Sequence, residues 1–214
     1  MTIATIEQGL AEIRAGRMVI LINEDTPEDD GFLCMAAEKV SAESINFMMH
    51  HGRGVLYVTL TDERVRELGV PLVPEENSRL SGLLCGAAFS VNLPGVHGVS
   101  AQGRAHTIRA VIADSTKHED LMVPGHVQPL QARSGGVLAR SGRTDASVDL
   151  ARLAGFKPAG AICQILDEDG SVALLPSLEL LAQRHDLRIL SVASLIAYRL
   201  RNESLVRRVA EEEF

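Results

Sequence analysis

Two stretches of the chain hold residues whose types and spacing could do chemistry. The first runs from Asn23 to Gly31 and carries Glu24, Asp25, Glu28, Asp29 and Asp30 directly after the apolar run 18–22. Carboxylates crowded this closely repel one another, so the loop invites a cation or a basic partner. Magnesium needs only one or two carboxylates, with waters and substrate oxygens completing its shell, and the loop can supply these. The spacing of acids and glycine is not that of an EF-hand. Taken alone, such a loop is more often a solvated, charged turn.

The second stretch, residues 125–144, sets Arg133, Arg140 and Arg143 among Gly135, Gly136 and Gly142, with His126 near its start and Thr144 at its end. Guanidinium forks, exposed backbone N–H groups and a helix amino end together make a cradle for phosphate. A lone histidine such as His126 is more often a hydrogen-bonded structural residue than a catalyst. His50 and His51 fall at the expected end of a helix, where imidazole meets the last carbonyls. His97, His106, His118 and His185 show no ligand spacing, and no nucleophile elbow, Walker loop or dinucleotide fingerprint is present. The residues alone lead to a pocket for a sugar phosphate or similar anion, with a divalent metal as an option.

Alternating helices and strands must position these side chains. Ile6, Leu10 and Ile13, a Thr5/Gln8 capping box and Gly16 predict a helix over residues 6–15. The continuous apolar run 18–22 reads as a buried strand. A helix is expected from Ser41 to near Gly52, then a strand over 55–60 and a short helix capped by Thr61 and stopped at Gly69. Residues 71–86 read as loop or irregular strand, 87–93 as strand, and 105–113 as a helix with its amino end near His106 and Thr107. Residues 124–143 are too rich in glycine, arginine and serine for plain core. Thr144 is expected to cap the next helix, with Ala146, Leu150 and Leu153 on one face. Residues 161–166 and 172–175 flank Asp167-Glu168-Asp169-Gly170 as a hairpin. Ser177 then caps a helix, 188–192 is a strand, and Ser194 starts the last helix. The pattern is one mixed α and β domain without regular βαβ units, repeats or an interdomain linker.

Composition narrows the function. The 214 residues, 46% of them apolar, suffice to bury a sizeable core. Only 3% are aromatic and the formal charge is −7, which suits neither base stacking nor a phosphate backbone, so a nucleic-acid role is set aside. Cys34, Cys85 and Cys163 form no CxxC pair and read as reduced thiols of a cytosolic protein. With no basic-plus-apolar leader and no apolar run of about 18 residues, a soluble cytoplasmic protein is expected.

Several motifs occur in a fixed order: the apolar strand entering Glu28-Asp29-Asp30-Gly31, His51-Gly52-Arg53-Gly54, Gly98-Val99-Ser100-Ala101, Thr107-Ile108-Arg109-Ala110 and Pro124-Gly125-His126-Val127. Gly135-Gly136-Val137-Leu138, Arg140-Ser141-Gly142-Arg143-Thr144 and Ala154-Gly155-Phe156-Lys157-Pro158-Ala159-Gly160 follow. Together they resemble the 3,4-dihydroxy-2-butanone 4-phosphate synthase family over residues 5–200. The resemblance implies a homodimeric α+β fold, a single domain with a mixed sheet and flanking helices, and active sites near the subunit interface. It also implies riboflavin biosynthesis, through the Mg²⁺-dependent conversion of ribulose 5-phosphate into formate and 3,4-dihydroxy-2-butanone 4-phosphate. Enediol formation there needs a base beside a metal-polarised carbonyl. Carried over residue by residue, Glu28 matches the acidic-loop metal ligand and His126 the histidine of the Pro-Gly-His motif, the two expected catalytic residues. Arg140 and Thr144 match residues that hold the substrate phosphate, and Thr107 and Gln164 fall at further substrate-binding positions.

Other positions depart from the family. Its loop Asp-Arg-Glu-Asn-Glu-Gly-Asp is here Thr26-Pro27-Glu28-Asp29-Asp30-Gly31-Phe32. Its second metal ligand, a histidine, is Arg143; a substrate-contacting glutamate is Gln164; an aspartate is Gly103; and Arg53 stands where serine is frequent. An arginine at a ligand position removes a lone pair and adds a fixed positive charge. Two unit charges ~4 Å apart cost ~4 kcal/mol at an effective dielectric of ~20, and a dication doubles that. The expectation is a degenerate active site in which the Mg²⁺-dependent reaction is absent or strongly impaired. What remains is a dimeric, anion-binding domain serving structure or regulation. Two alternatives keep activity: a diverged enzyme on another sugar phosphate, or the ordinary synthase with Asp29, Asp30 or Asp145 as substitute ligand. Residues 202–211 resemble the junction that joins this family to GTP cyclohydrolase II. Residues 201–214 are therefore expected to be a helical tail or a link to such a domain.

Overall fold

The run 18–22 forms β1 (Val19–Ile22), whose four residues are all buried. Val19 and Leu21 join one core cluster, Ile20 and Ile22 the other. A strand covered on both faces reads as an unbroken apolar run because neither face needs polar side chains. The structure, a computed structural model, describes residues 3–23, 30–73 and 84–203. Among them β1 pairs with β2 (Gly31–Ala36) and β8 (Arg188–Ser191), and β7 (Gly160–Ile165) lies between β2 and β3 (Arg53–Thr61). The long β6 (Leu121–Ala132) continues the sheet beyond β3, and β4 (Leu84–Cys85) forms its edge. β5 (Phe89–Val91) pairs with the outer part of β6. The β1/β8 and β3/β6 pairs are parallel and the others antiparallel, so the sheet is mixed, as expected.

Helices cover both faces. On one, α1 (Ile6–Arg14), α5 (Arg143–Leu153) and α7 (Val192–Asn202) bury Leu10, Ile13, Leu150 and Leu195 against Leu21, Ile162 and Leu190. On the other, α2 (Ala42–Phe47), α3 (Asp62–Glu67), α4 (Ala101–Val111) and α6 (Leu175–His185) bury Ile45, Val65, Ile108 and Leu178 against Ile20, Leu33, Val58 and Cys163. Each such side chain contributes about 1.5–3 kcal/mol of transfer free energy. The three thiols are free and buried, as their apolar contexts suggest. No helix among the described residues is long and apolar enough to cross a membrane.

The Thr5/Gln8 capping box opens α1 as expected. Other boundaries differ, each for a local reason. Strand β2, absent from the sequence reading, follows the acidic loop without a turn signal of its own. The helix expected over 105–113 starts earlier, because Ser100 accepts a hydrogen bond from Gly103 N and caps α4; Thr107 is therefore mid-helix. Residues 121–132 form β6; the stretch from 124 on, expected not to be plain core, is exposed at Pro124 and His126 but buried at the inner end of the strand. Thr144 does not cap α5; Gly142 occupies that position, and Thr144 lies inside the first turn, 2% exposed. The hairpin over 161–175 reduces to one bridge, Leu166 with Val172, because Leu175 already begins α6. Ser177 does not cap α6 but donates to Asp167 across the preceding turn. Ser191, not Ser194, caps α7. The helix from Ser41 ends in a π turn over Met48–Gly52, where His51 meets His50 edge-on and His185 at a tilt, 4.3 Å between centroids.

Candidate functional site

The amino end of α5, the entrance to β2 and the outer part of β7 meet on one face of the sheet. Phe32 and Gln164 are direct cross-strand partners, so their side chains point to the same side. Arg143, the first residue of α5, extends over them. Its Nη2 donates to Asp30 Oδ1, and Gln164 Nε2 donates to Asp30 Oδ2 at 2.8 Å. The guanidinium carbon lies 4.9 Å from the centre of the Phe32 ring, within cation–π range. Arg143 and Asp30 are 19% and 17% exposed in their side chains, so their attraction is only partly screened. Arg143 Nη1 is buried and has no hydrogen-bond partner. Four positions at or beside departures from the family motifs are thus one connected cluster.

Beside it, Arg140 is built into a second polar network. Its Nε donates to Asp145 Oδ2 at 2.6 Å and its Nη2 to Gln131 O at 3.1 Å. Asp145, fully buried, also accepts from Arg133 N at 2.7 Å. The loop from Arg133 to Gly142 is further tied down by Asp149. This carboxylate accepts from Val137 N at 2.8 Å and pairs with Arg199 Nη1 at 2.7 Å, which also donates to Gly135 O at 2.7 Å. Gly136, at φ 62°, passes so close that a Cβ would lie 2.3 Å from Asp149 Oδ1. Such anchoring holds the Arg140–Thr144 turn and the amino end of α5, which has no side-chain cap, in one place.

His126 and Thr107 lie elsewhere. His126 is on β6 with Nδ1 3.1 Å from Ser90 Oγ, which also accepts from His126 N. Thr107 is fully buried; its hydroxyl donates to Gly103 O at 2.9 Å and accepts from Val91 N at 3.1 Å, joining α4 to β5. His126 precedes Gln131, the residue whose carbonyl Arg140 holds, by five positions of strand, about 17 Å. One chain therefore brings together Arg140, Arg143, Thr144 and Gln164, but not His126 or Thr107. Glu28 lies outside the described residues. Arg53 is directed at the 166–168 turn, its Nη1 donating to Leu166 O at 3.1 Å. At Gly103 a side chain would meet His97 O at 2.4 Å, so the missing acid there is also a packing requirement.

The sequence reading named Asp30 and Asp145 only as substitute metal ligands. Their signal was arginine at the ligand position and arginine five residues before Asp145, both of which need a counter-charge. As placed, both oxygens of Asp30 and both of Asp145 already accept hydrogen bonds. Among the described residues no three carboxylate, imidazole or thiolate side chains converge on one point. Among the described residues, then, Asp30 and Asp145 are engaged by protein donors, and the acidic-loop residues 24–29 lie outside the described residues.

A family model described as 3,4-dihydroxy-2-butanone 4-phosphate synthase matches residues 7–198. The riboflavin biosynthesis protein RibBA of Aquifex aeolicus is 46% identical over 211 residues, covering 96% of this chain and 51% of that protein. RibBX of A. baumannii, a two-domain 3,4-dihydroxy-2-butanone 4-phosphate synthase, superposes with a TM-score of 0.90 at 43% identity, covering 98% of this chain and 62% of its own. A 3,4-dihydroxy-2-butanone 4-phosphate synthase solved in complex with two magnesium ions superposes with a TM-score of 0.87 at 28% identity, covering 93% of this chain and 98% of that one. The chain thus spans about half to two thirds of the length of the RibBA and RibBX relatives.

Proposed function

The chain belongs to the 3,4-dihydroxy-2-butanone 4-phosphate synthase family, linked to riboflavin biosynthesis, and from that premise we propose that it is a divergent member. In this reading the Mg²⁺-dependent conversion of ribulose 5-phosphate is lost or strongly impaired, while a pocket for a phosphorylated small molecule remains. One observation carries it: the guanidinium of Arg143 sits on Asp30, whose second oxygen is held by Gln164. A divalent cation entering here would have to displace Arg143 or accept roughly 8 kcal/mol of repulsion at ~4 Å. Asp145 is no substitute ligand, since Arg140 and Arg133 N already engage it. Arg140, Thr144 and the amino end of α5 supply the phosphate cradle, and Gln164 its neighbouring wall.

Homodimerisation belongs to the same proposal. His126 stands on an exposed face with Val99, Met122 and Val123 exposed at 51%, 46% and 50%. A second copy covering these apolar groups would bring His126 and the Thr107 region toward the Arg140–Arg143 half of its partner, which one chain cannot do. The reading also places the protein in the cytoplasm, consistent with three reduced, buried thiols. It further assigns residues 201–214 to a tail or to a link with a GTP cyclohydrolase II domain that the isolated domain would serve.

The test is formate release from ribulose 5-phosphate, followed by NMR with and without Mg²⁺. No formate from a folded dimer is expected. Robust Mg²⁺-dependent formate would overturn the proposal and favour the active synthase, with Glu28 and Asp29 as the remaining ligand candidates.

A further inference from the structure

Arg143 has a donor with nothing to donate to. Its Nη1 is buried without a partner, while Nη2 is held by Asp30 and the guanidinium faces the ring of Phe32. A buried N–H left unpaired costs about 1–3 kcal/mol, more when it is charged, so this edge demands an acceptor. Phe32 offers no oxygen, and Asp30 is already shared between Arg143 and Gln164. The turn that carries Arg143 is rigid, because Arg140 is fastened to Asp145 and Gln131, and Gly142 to Arg140, through hydrogen bonds of 2.6–3.1 Å. The arginine is therefore a fixed positive charge with a preset unfilled donor, next to the phosphate cradle.

We infer that Arg143 is the resident cation of this site, and that the site binds a small organic phosphate bearing a second carbonyl or carboxylate oxygen without a divalent metal. The phosphate lies at Arg140 and the amino end of α5, and the second oxygen accepts from Arg143 Nη1. Asp30 keeps the guanidinium in place, Gln164 fixes Asp30, and Phe32 sets the plane of the fork. The inference rests on the proposed loss of the Mg²⁺-dependent reaction and names the ligand class of that same pocket.

Isothermal titration of the 214-residue chain with ribulose 5-phosphate, in EDTA and in Mg²⁺, tests it. The expected affinity is the same within about twofold in both buffers, and Arg143→Gln weakens it about tenfold or more at unchanged circular dichroism. Binding only in Mg²⁺, binding unchanged in Arg143→Gln, or no binding in either buffer overturns the inference. A second measurement uses Mn²⁺ and electron paramagnetic resonance. The combined variant Phe32→Asp, Arg143→His, Gln164→Glu is expected to hold Mn²⁺ at least tenfold more tightly than the starting protein. A folded variant without that gain overturns the role given to Arg143. Formate release separates the two proposals: Mg²⁺-dependent formate removes the proposed function, whereas absent formate with absent binding removes only this inference.

Discussion

Arg143, at the start of α5, and Asp30, at the entrance to β2, form an ion pair across 113 positions of sequence. The pair joins a helix to a strand that share a face of the sheet, and it places a positive charge where the family resemblance sets a metal ligand. Truncating one partner of a fully buried pair costs about 3–5 kcal/mol, and partial exposure reduces this. Arg143→Met is expected to lower stability by about 1–3 kcal/mol, because Asp30 keeps only the Gln164 bond. Asp30→Asn with Arg143→Met should lose less than the sum of the single changes. Urea unfolding of all four proteins measures the coupling; strictly additive losses would mean that the pair contributes nothing.

Gly103 sits inside α4, where alanine would ordinarily gain about 1 kcal/mol. Here a Cβ would lie 2.4 Å from His97 O and 2.8 Å from Gly98 Cα, both backbone atoms that cannot rotate away. Overpacking of this kind costs about 1–3 kcal/mol, so the steric effect wins. Gly103→Ala should lower the unfolding midpoint, and Gly103→Asp, which restores the family acid, should lower it further. A thermal melt in which Gly103→Ala is the more stable protein would show that the 97–98 turn yields freely.

Acid should weaken the fold in two steps. Burial pushes the His51 imidazole below its ordinary value of 6.5, and His185, His50, Arg53 and Arg184 add repulsion to its charged form. A histidine with a depressed folded value contributes stability above 6.5 that is lost as pH falls through the folded value. The hydrogen bond from Arg199, aided by Arg152, holds Glu203 down from 4.5 to about 2. Its contribution is complete above 4.5 and disappears as pH falls toward 2. Melting temperature against pH should show both declines. His51→Gln should flatten the first and Glu203→Gln the second, and a profile unchanged by either substitution would refute the assignment.

The fold class, the buried strand β1, the capped helix α1 and the family were legible in the sequence, because each depends on local periodicity, capping residues or contiguous motifs. The departures at Phe32, Arg143 and Gln164 were equally visible as single letters. What tertiary structure decided is that these letters form one cluster around Asp30, since β2 and β7 pair in register and α5 crosses above them. Tertiary structure likewise decided that Asp145 serves Arg140 and that His126 is about 17 Å of strand away from that half of the site. Cap positions shifted from Thr144 to Gly142 and from Ser194 to Ser191 because several residues in each stretch can start a helix. Spacing along the chain encodes which side chains share an element. Which elements meet, and therefore which charges neutralise one another, follows only from how the two cores close around the sheet.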